Sequence, residues 1–161
     1  MKTKLIVLAL AATGALVSAP AFSASTTHTL TVSAQVLGTC KFNTAGPTTL
    51  TIATGGGVID PSAVGPATGT ANVTFRCTTG TTSAITGDNG LNFLGASRRV
   101  KNGVANFMNY TFAMTNAAQV GTGHGAGQDK TVAINASIIA ADYQNATAGA
   151  YVDTVTLTIT P

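Results

Sequence analysis

The sequence predicts an all-β protein, an antiparallel β-sandwich, from three observations. Segments in which apolar and polar residues alternate recur along the chain and are separated by glycine-rich turns. Thr and Gly are abundant while Glu and Trp are absent, and Thr favours strands whereas Gly favours turns. No helical period is sustained after residue 23. Seven or more short strands joined by frequent turns are typical of an antiparallel sandwich.

The first 23 residues are interpreted as a signal peptide rather than as part of the fold. Lys2 and Lys4 form a positively charged start, residues 5–17 are apolar, and residues 19–24 are mostly small. The apolar run is shorter than the roughly 20 residues that a membrane-spanning helix needs. We therefore expect an exported chain with one domain after the signal peptide.

Charge does not indicate a nucleic-acid partner. Eight Lys and Arg face five Asp, but two of the eight belong to the predicted signal peptide, so the remaining chain is close to neutral. Its one basic cluster is Arg98, Arg99 and Lys101, whereas nucleic-acid binding needs larger patches that neutralise phosphates. We interpret these three residues as part of a solvated strand or turn.

Two cysteines, Cys40 and Cys77, predict one disulfide. An exported chain reaches an oxidising compartment, where paired thiols are normally oxidised. In the chain-entropy model, closing a loop of this length removes about 4 kcal/mol of unfolded-state entropy. A metal pair or a redox centre is the alternative, but the sequence lacks further ligands at metal spacing and a C-x-x-C motif.

Alternation and turn residues place the predicted strands. They lie at residues 29–36, 40–42, 48–52, 70–78, 91–94, 96–100, 106–114, 131–138 and 151–160. Residues 55–69 contain three consecutive glycines and two prolines and are predicted to be a loop. Asn102-Gly103 between two extended segments is the strongest hairpin signal in the chain. The predicted core-facing residues are Ala71, Val73, Phe75, Cys77, Met108, Tyr110, Phe112, Met114, Val132, Ile134, Ala136 and Ile138.

The sequence gives no support for an enzyme, a cofactor, a metal or a small-molecule substrate. The glycine-rich segment at residues 121–127 neither opens a helix nor lies in a βαβ unit, so we interpret it as a hairpin connection rather than a nucleotide-binding loop. His28 and His124 lack carboxylates or cysteines at ligand spacing. The many hydroxyl groups lack an oriented base, which nucleophilic catalysis requires.

Two alternating strips, one near each end of the expected exported chain, suggest self-assembly by strand addition. In the first strip, Leu30, Val32, Ala34 and Val36 share one face. In the last thirteen residues, Tyr151, Val155, Leu157 and Ile159 share one face, and threonines occupy the other. Main-chain hydrogen bonds along an open strand edge can bind another extended segment.

Several motifs resemble the spore coat protein U domain family, whose members include subunits of archaic chaperone-usher pili in Gram-negative bacteria. The most specific one is Gly149-x-Tyr151-x-Asp153-Thr-Val155-x-Leu157-x-Ile159. The others are residues 91–102 with Arg98-Arg99, the strand 109–112, the glycine-rich segment 121–127 and the two cysteines. The resemblance covers nearly all of the chain after the signal peptide.

The resemblance implies an incomplete immunoglobulin-like sandwich that lacks its last strand and is completed by donor-strand exchange. It implies a signal peptide at 1–23, a donor extension at 24–37 and a sandwich domain at 38–161. The donor residues would be Leu30, Val32, Ala34 and Val36, and the groove edge Tyr151, Val155, Leu157 and Ile159. The implied partners are other pilus subunits, a periplasmic chaperone and an outer-membrane usher. The implied location is the cell surface of a Gram-negative bacterium, reached through the periplasm.

Two other functions stay open at this stage. A structural protein of a spore or cyst coat differs from a pilus subunit in where the chain is deployed rather than in its fold. A small secreted adhesin module is the other alternative, although one domain of this length leaves no room for a separate receptor-binding domain.

Overall fold

The computed structural model describes residues 24–161, so the predicted signal peptide lies outside the described residues. The chain divides into two units, Met1–Ala34 and Gln35–Pro161. In the described part of the first unit, residues 24–34, every residue is exposed and none is in a helix or strand. The second unit contains all the helices and strands described below. In residues 24–161 no helix is long and apolar enough to cross a membrane.

The second unit is an all-β domain, as the sequence predicts. Its elements are β1 (Cys40–Phe42), β2 (Ala67–Cys77), β3 (Ala84–Gly87), β4 (Arg98–Asn102), β5 (Asn106–Thr115), β6 (Lys130–Ile138), α1 (Ala140–Tyr143) and β7 (Leu157–Thr160). Five strands form one antiparallel sheet in the order β1-β2-β6-β5-β4, and β3 pairs with β7 in a second sheet. The β4–β5 hairpin turns at residues 103–105, next to the predicted Asn-Gly signal.

The core lies between the two sheets and continues towards α1. The first cluster is formed by buried residues of β2, β3 and β6, among them Val73, Phe75, Ile85 and Val132. The second cluster, at the other end of β2, contains Ala67, Met108, Ile138 and Tyr143. Alternate residues of β2 and β6 are buried, so the predicted alternation of those two strands is confirmed.

The predicted disulfide is present between Cys40 and Cys77. The two residues are direct partners in the antiparallel pairing of β1 with β2. Because β1 has only three residues, few backbone hydrogen bonds hold it, and the disulfide adds a covalent attachment to the long strand β2. Cys77 is fully buried in the first core cluster and Cys40 is partly buried against it, so the attachment lies at the edge of the apolar core.

The segment around residues 84–94 corrects the sequence-based prediction. Residues 91–94 were predicted to form a strand, but residues 91–92 lie in a turn and Leu94 forms only an isolated bridge with Ser97. Leu91 and Leu94 are 79% and 64% exposed. The strand in this region is β3, which ends at Gly87, before the segment that was predicted to be extended. Alternation did not reveal β3 because it contains one large apolar residue, Ile85, which is 4% exposed.

Residues 48–52 were also predicted to form a strand, and this prediction is wrong. Leu50 and Ile52 do point to the two core clusters, but only the following Ala53 forms a β-bridge, to Thr68. The backbone at Thr51 passes so close to Gly69 that a Cβ on that glycine would overlap the Thr51 carbonyl. A close crossing over β2 therefore replaces the expected ladder.

The last predicted strand, 151–160, is divided in the structure. Val152 forms a bridge with Lys101 of β4, in the five-stranded sheet. After four intervening residues the chain enters β7 in the second sheet. The one-turn helix α1 was not predicted because four residues are too few to show a helical period.

Candidate functional site

The outer edge of β7 is open. Within residues 24–161, β7 has one hydrogen-bonded neighbour, β3. Bonded and non-bonded residue pairs alternate along an antiparallel ladder, and the hydrogen bond from the Asp88 amide to the Thr156 carbonyl (3.0 Å) fixes the phase. The backbone groups of Leu157 and Ile159 therefore point away from β3. They offer donors and acceptors to an incoming strand.

The side chains beside this edge are apolar and only partly buried. Leu157 and Ile159 pack against the first core cluster from β7, and Cys40 and Phe42 pack against it from β1. Some Cα atoms of β1 and β7 lie within 8 Å of one another, yet the two strands are not hydrogen-bonded to each other. We call this region, the outer edge of β7 with the partly buried side chains of β1 and β7, the open groove.

The structure brings together three of the four residues predicted for the groove edge. Leu157 and Ile159 contact the first cluster. Val155 lies near Gly87, because a Cβ on that glycine would be 3.2 Å from Val155 Cγ1. Tyr151 instead packs against the second cluster, and its hydroxyl donates to the Thr147 carbonyl (2.9 Å). The crossing from one sheet to the other separates Tyr151 from the other three.

The four predicted donor residues are exposed in the structure. Leu30, Val32 and Val36 are 79%, 84% and 81% exposed, and Ala34 is also exposed. Large apolar side chains in water are unfavourable at about 1.5–3 kcal/mol each relative to burial. A row of such residues at alternate positions is therefore suited to being covered by another surface.

A partly buried polar network positions the chain that leads into β7. The Asp153 carboxylate accepts hydrogen bonds from the Asn92 amide (3.1 Å) and from the Tyr110 hydroxyl (2.7 Å). Burial, followed by the hydrogen bond to Asp153, raises the pKa of Tyr110 above its ordinary value. The phenol therefore remains a donor to the carboxylate even at pH values at which an exposed tyrosine would ionise.

The basic cluster lies in β4, at the edge of the five-stranded sheet, in agreement with the predicted strand or turn, and two of its side chains form hydrogen bonds in the same structural region. The Arg98 guanidinium donates to the Asp88 carbonyl (2.7 Å) and lies 4.8 Å from the Phe112 ring centroid. Arg99 donates to the Asn92 carbonyl (2.9 Å). Charge counting could not reveal these roles because the acceptors are backbone carbonyls. The sequence feature that could have located this network is the family motif Gly149-x-Tyr151-x-Asp153, which contains one of its carboxylates.

Asp88 connects the network to the residue before β7. Its Oδ1 accepts hydrogen bonds from the amides of Gly90 (2.9 Å) and Thr156 (3.0 Å). These bonds, that from Gly90 first, hold the pKa of Asp88 below its ordinary value. A carboxylate that is tied to both chain segments keeps the 87–90 turn against the start of β7.

A separate ion pair involves Arg76 of β2, the register partner of Lys41 in β1. Arg76 Nε lies 2.7 Å from Asp129 Oδ1, and Asn43 also donates to that oxygen (2.9 Å). The guanidinium holds the pKa of Asp129 below its ordinary value. In residues 24–161 there is no group of three His, Cys, Asp or Glu residues placed to hold a metal ion.

Fold and groove together define an all-β protein whose last strand has an open edge beside partly buried apolar side chains. The family model for the Spore Coat Protein U domain matches residues 26–158, and the chain belongs to that family. No curated protein matches the chain.

One similar solved structure is the crystal structure of a chaperone–tip adhesion subunit pre-assembly complex, CsuC–CsuE, from archaic chaperone-usher Csu pili of Acinetobacter baumannii. The TM-score is 0.45 and the sequence identity is 18%. The match covers 77% of this chain and 40% of that chain.

We predict that Gly90→Ala destabilises the domain more than Gly95→Ala. Both glycines have positive φ, +80° and +63°, so both substitutions incur the left-handed penalty of roughly 1–2 kcal/mol. Only at Gly90 would the new Cβ overlap the Asp153 carboxylate, which adds roughly 1–3 kcal/mol. Urea unfolding measures the difference. Equal unfolding free energies would show that the Asp153 network does not constrain this turn.

We predict that Asp88→Asn weakens the acid dependence of stability. Because the pKa of Asp88 is lower in the folded state, its contribution is present above the unfolded value of about 3.9 and is lost as the pH falls through the folded pKa. The variant should be less stable near neutral pH, and its unfolding free energy should fall less between about pH 5 and pH 2. An identical pH profile for variant and wild type would contradict the role of Asp88.

Proposed function

We propose that this chain is a structural subunit of a chaperone-usher pilus on the cell surface, and that it polymerises by donor-strand exchange. The N-terminal extension, residues 24–37, would insert into the open groove of the next subunit and complete an immunoglobulin-like sandwich there. The observation that carries the proposal is the open groove itself, an unpaired strand edge beside apolar side chains that remain partly exposed.

The two surfaces have matching chemistry. The extension offers apolar side chains at alternate positions, while the edge of β7 offers unpaired backbone groups beside an apolar floor. Main-chain hydrogen bonds supply affinity in such a complex, and alternate side chains in pockets set the register. The apolar side chains would contribute ~1–2 kcal/mol each on burial, and each net backbone bond ~0.5–1.5 kcal/mol.

The geometry favours a fibre over a closed dimer. The extension and the open groove are different surfaces of one molecule, so the contact between copies is heterologous and repeats from one copy to the next. Family membership supports the same function, because the family that the sequence resembles has subunits of archaic chaperone-usher pili among its members. A coat protein could use the same assembly step at another location.

The proposal includes partners that protect the subunit before assembly. An open edge with apolar neighbours is a site for aggregation. A periplasmic chaperone that covers the groove would prevent this, and an outer-membrane usher would be the place where the next extension replaces it. In this proposal the chain needs no cofactor and acts on no substrate.

We predict that Val32→Asp abolishes fibre formation while Ser33→Asp does not. Both substitutions add one carboxylate to exposed positions of the extension, but only Val32 is on the face proposed to enter the groove. An unpaired charge buried there would be strongly unfavourable. Electron microscopy of expressing cells is the measurement, with subunit amount checked by immunoblot. Fibres from the Val32→Asp variant in normal amounts would contradict the proposal.

We also predict that a peptide of residues 27–37 stabilises a variant that lacks residues 24–37. Binding to the folded state raises the free energy of unfolding, by about 2.7 kcal/mol at a peptide concentration of one hundred times the dissociation constant, so the melting temperature rises with peptide concentration. The same peptide with Asp in place of Val32 is the matched control and should give no shift. Equal shifts from both peptides, or from neither, would show that the groove does not accept this strand.

A further inference from the structure

The first residues of the folded domain are held by side-chain hydrogen bonds rather than by a strand ladder. Pairing of β1 with β2 extends one residue beyond the strands, where the Thr78 amide donates to the Thr39 carbonyl (2.9 Å). Beyond this pair β2 has ended and the chain turns at Gly80, which has φ +81°. Beyond the Thr39–Thr78 pair, no backbone hydrogen bond joins residues 37 and 38 to this strand. We call residues 37–39 the root of the extension.

The hydroxyl of Thr78 takes the place of the missing ladder. It accepts a hydrogen bond from the Thr39 amide (3.1 Å) and donates one to the Leu37 carbonyl (3.1 Å). A single hydroxyl can do both because it has one donor and two acceptor lone pairs. The two consecutive peptide groups on either side of Gly38 are thereby bonded to the same atom, which sets the direction of the chain as well as its position.

Neighbouring groups limit the root further. A Cβ on Gly38 would lie 2.9 Å from the Thr81 hydroxyl oxygen, so this glycine fits closely against Thr81. The Thr39 hydroxyl lies 3.3 Å from Nε2 of His124. The His124 carbonyl in turn accepts a hydrogen bond from Arg76 (3.1 Å). The glycine-rich segment therefore contacts the root, a role that its composition does not reveal.

The held atoms belong to the backbone, while the apolar side chains stay outside. Leu37 is 73% exposed although its carbonyl is bonded, and Val36 is 81% exposed. Hydrophobic packing therefore does not account for the order of the root, which rests on the hydrogen bonds to Thr78. Val36, the last proposed donor residue, is adjacent in sequence to the root, so no flexible linker separates the two.

We propose that Thr78 is a positioning residue that fixes where and in which direction the extension leaves the domain. If the proposed donor-strand assembly is correct, Thr78 also limits the range of angles between successive subunits in the fibre. A linker without free residues transmits orientation, whereas a flexible one averages it. The position and direction of the extension are properties of the single chain, so this role of Thr78 does not depend on polymerisation.

The test compares Thr78→Val, which keeps the shape and removes the hydroxyl, with Thr78→Ser, which restores it. Amide hydrogen exchange is measured on the exported full-length chain. The Thr39 amide in Thr78→Val should exchange about tenfold faster than in the wild type, the factor for loss of one hydrogen bond of ordinary strength. Thr78→Ser should match the wild type, and the Phe75 amide in the core should be unchanged in both variants.

Two outcomes overturn the proposal: equal protection of Thr39 in wild type and Thr78→Val, or equal loss in Thr78→Val and Thr78→Ser. If exchange of core amides is also faster in Thr78→Val, Thr78→Ala repeats the comparison without a β-branched apolar group.

In fibres, Thr78→Val should broaden the distribution of angles between subunits seen by electron microscopy. An unchanged distribution would refute the proposal that Thr78 limits these angles. If the wild type forms no fibres, donor-strand assembly fails while the exchange result still decides the role of Thr78.

Discussion

The open edge of β7 is the constraint on which the rest of the structure depends. A short strand with one hydrogen-bonded neighbour has half of its possible ladder, and the apolar side chains of Leu157 and Ile159 are only partly covered. Small sheets normally cover or charge such an edge. Here Thr158 and Thr160 carry the outward face, and charged or proline residues are absent from β7. An edge of this kind is unfavourable in isolation and becomes favourable when another strand adds to it.

A strand with so few backbone partners needs other groups to keep it in place, and the polar network supplies them. Asp153 and Asp88 bind amides or hydroxyls of separate segments on the approach to β7. Arg98 closes the same region by donating to the Asp88 carbonyl. Because these bonds lie beside the groove rather than in it, they leave the outer edge of β7 unoccupied. The residues that hold β7 in place are therefore different from those that form its open outer edge.

Alternation predicted those parts of the fold in which large apolar residues repeat. The long strands β2, β5 and β6, the buried faces of β2 and β6, and the disulfide followed from residue type and spacing. Local patterns failed where tertiary hydrogen bonds decide the conformation. Asn92 is held by Asp153 in a turn, where a strand was predicted, and β3 had too few apolar residues to be recognised. Nor could composition identify Thr78, because a threonine-rich chain offers many hydroxyls and only folding selects one.

The disulfide and the root of the extension are adjacent on both strands, and this arrangement matters for a fibre under tension. The pair Cys40–Cys77 directly follows the pair Thr39–Thr78. In the proposed fibre, a pull on the extension would act first on β1, whose three residues have few backbone bonds. The disulfide transfers that load covalently to β2, which is paired with β6 along nine residues. Thr78 sets direction and Cys40–Cys77 supplies strength, so the two functions are separated at neighbouring positions.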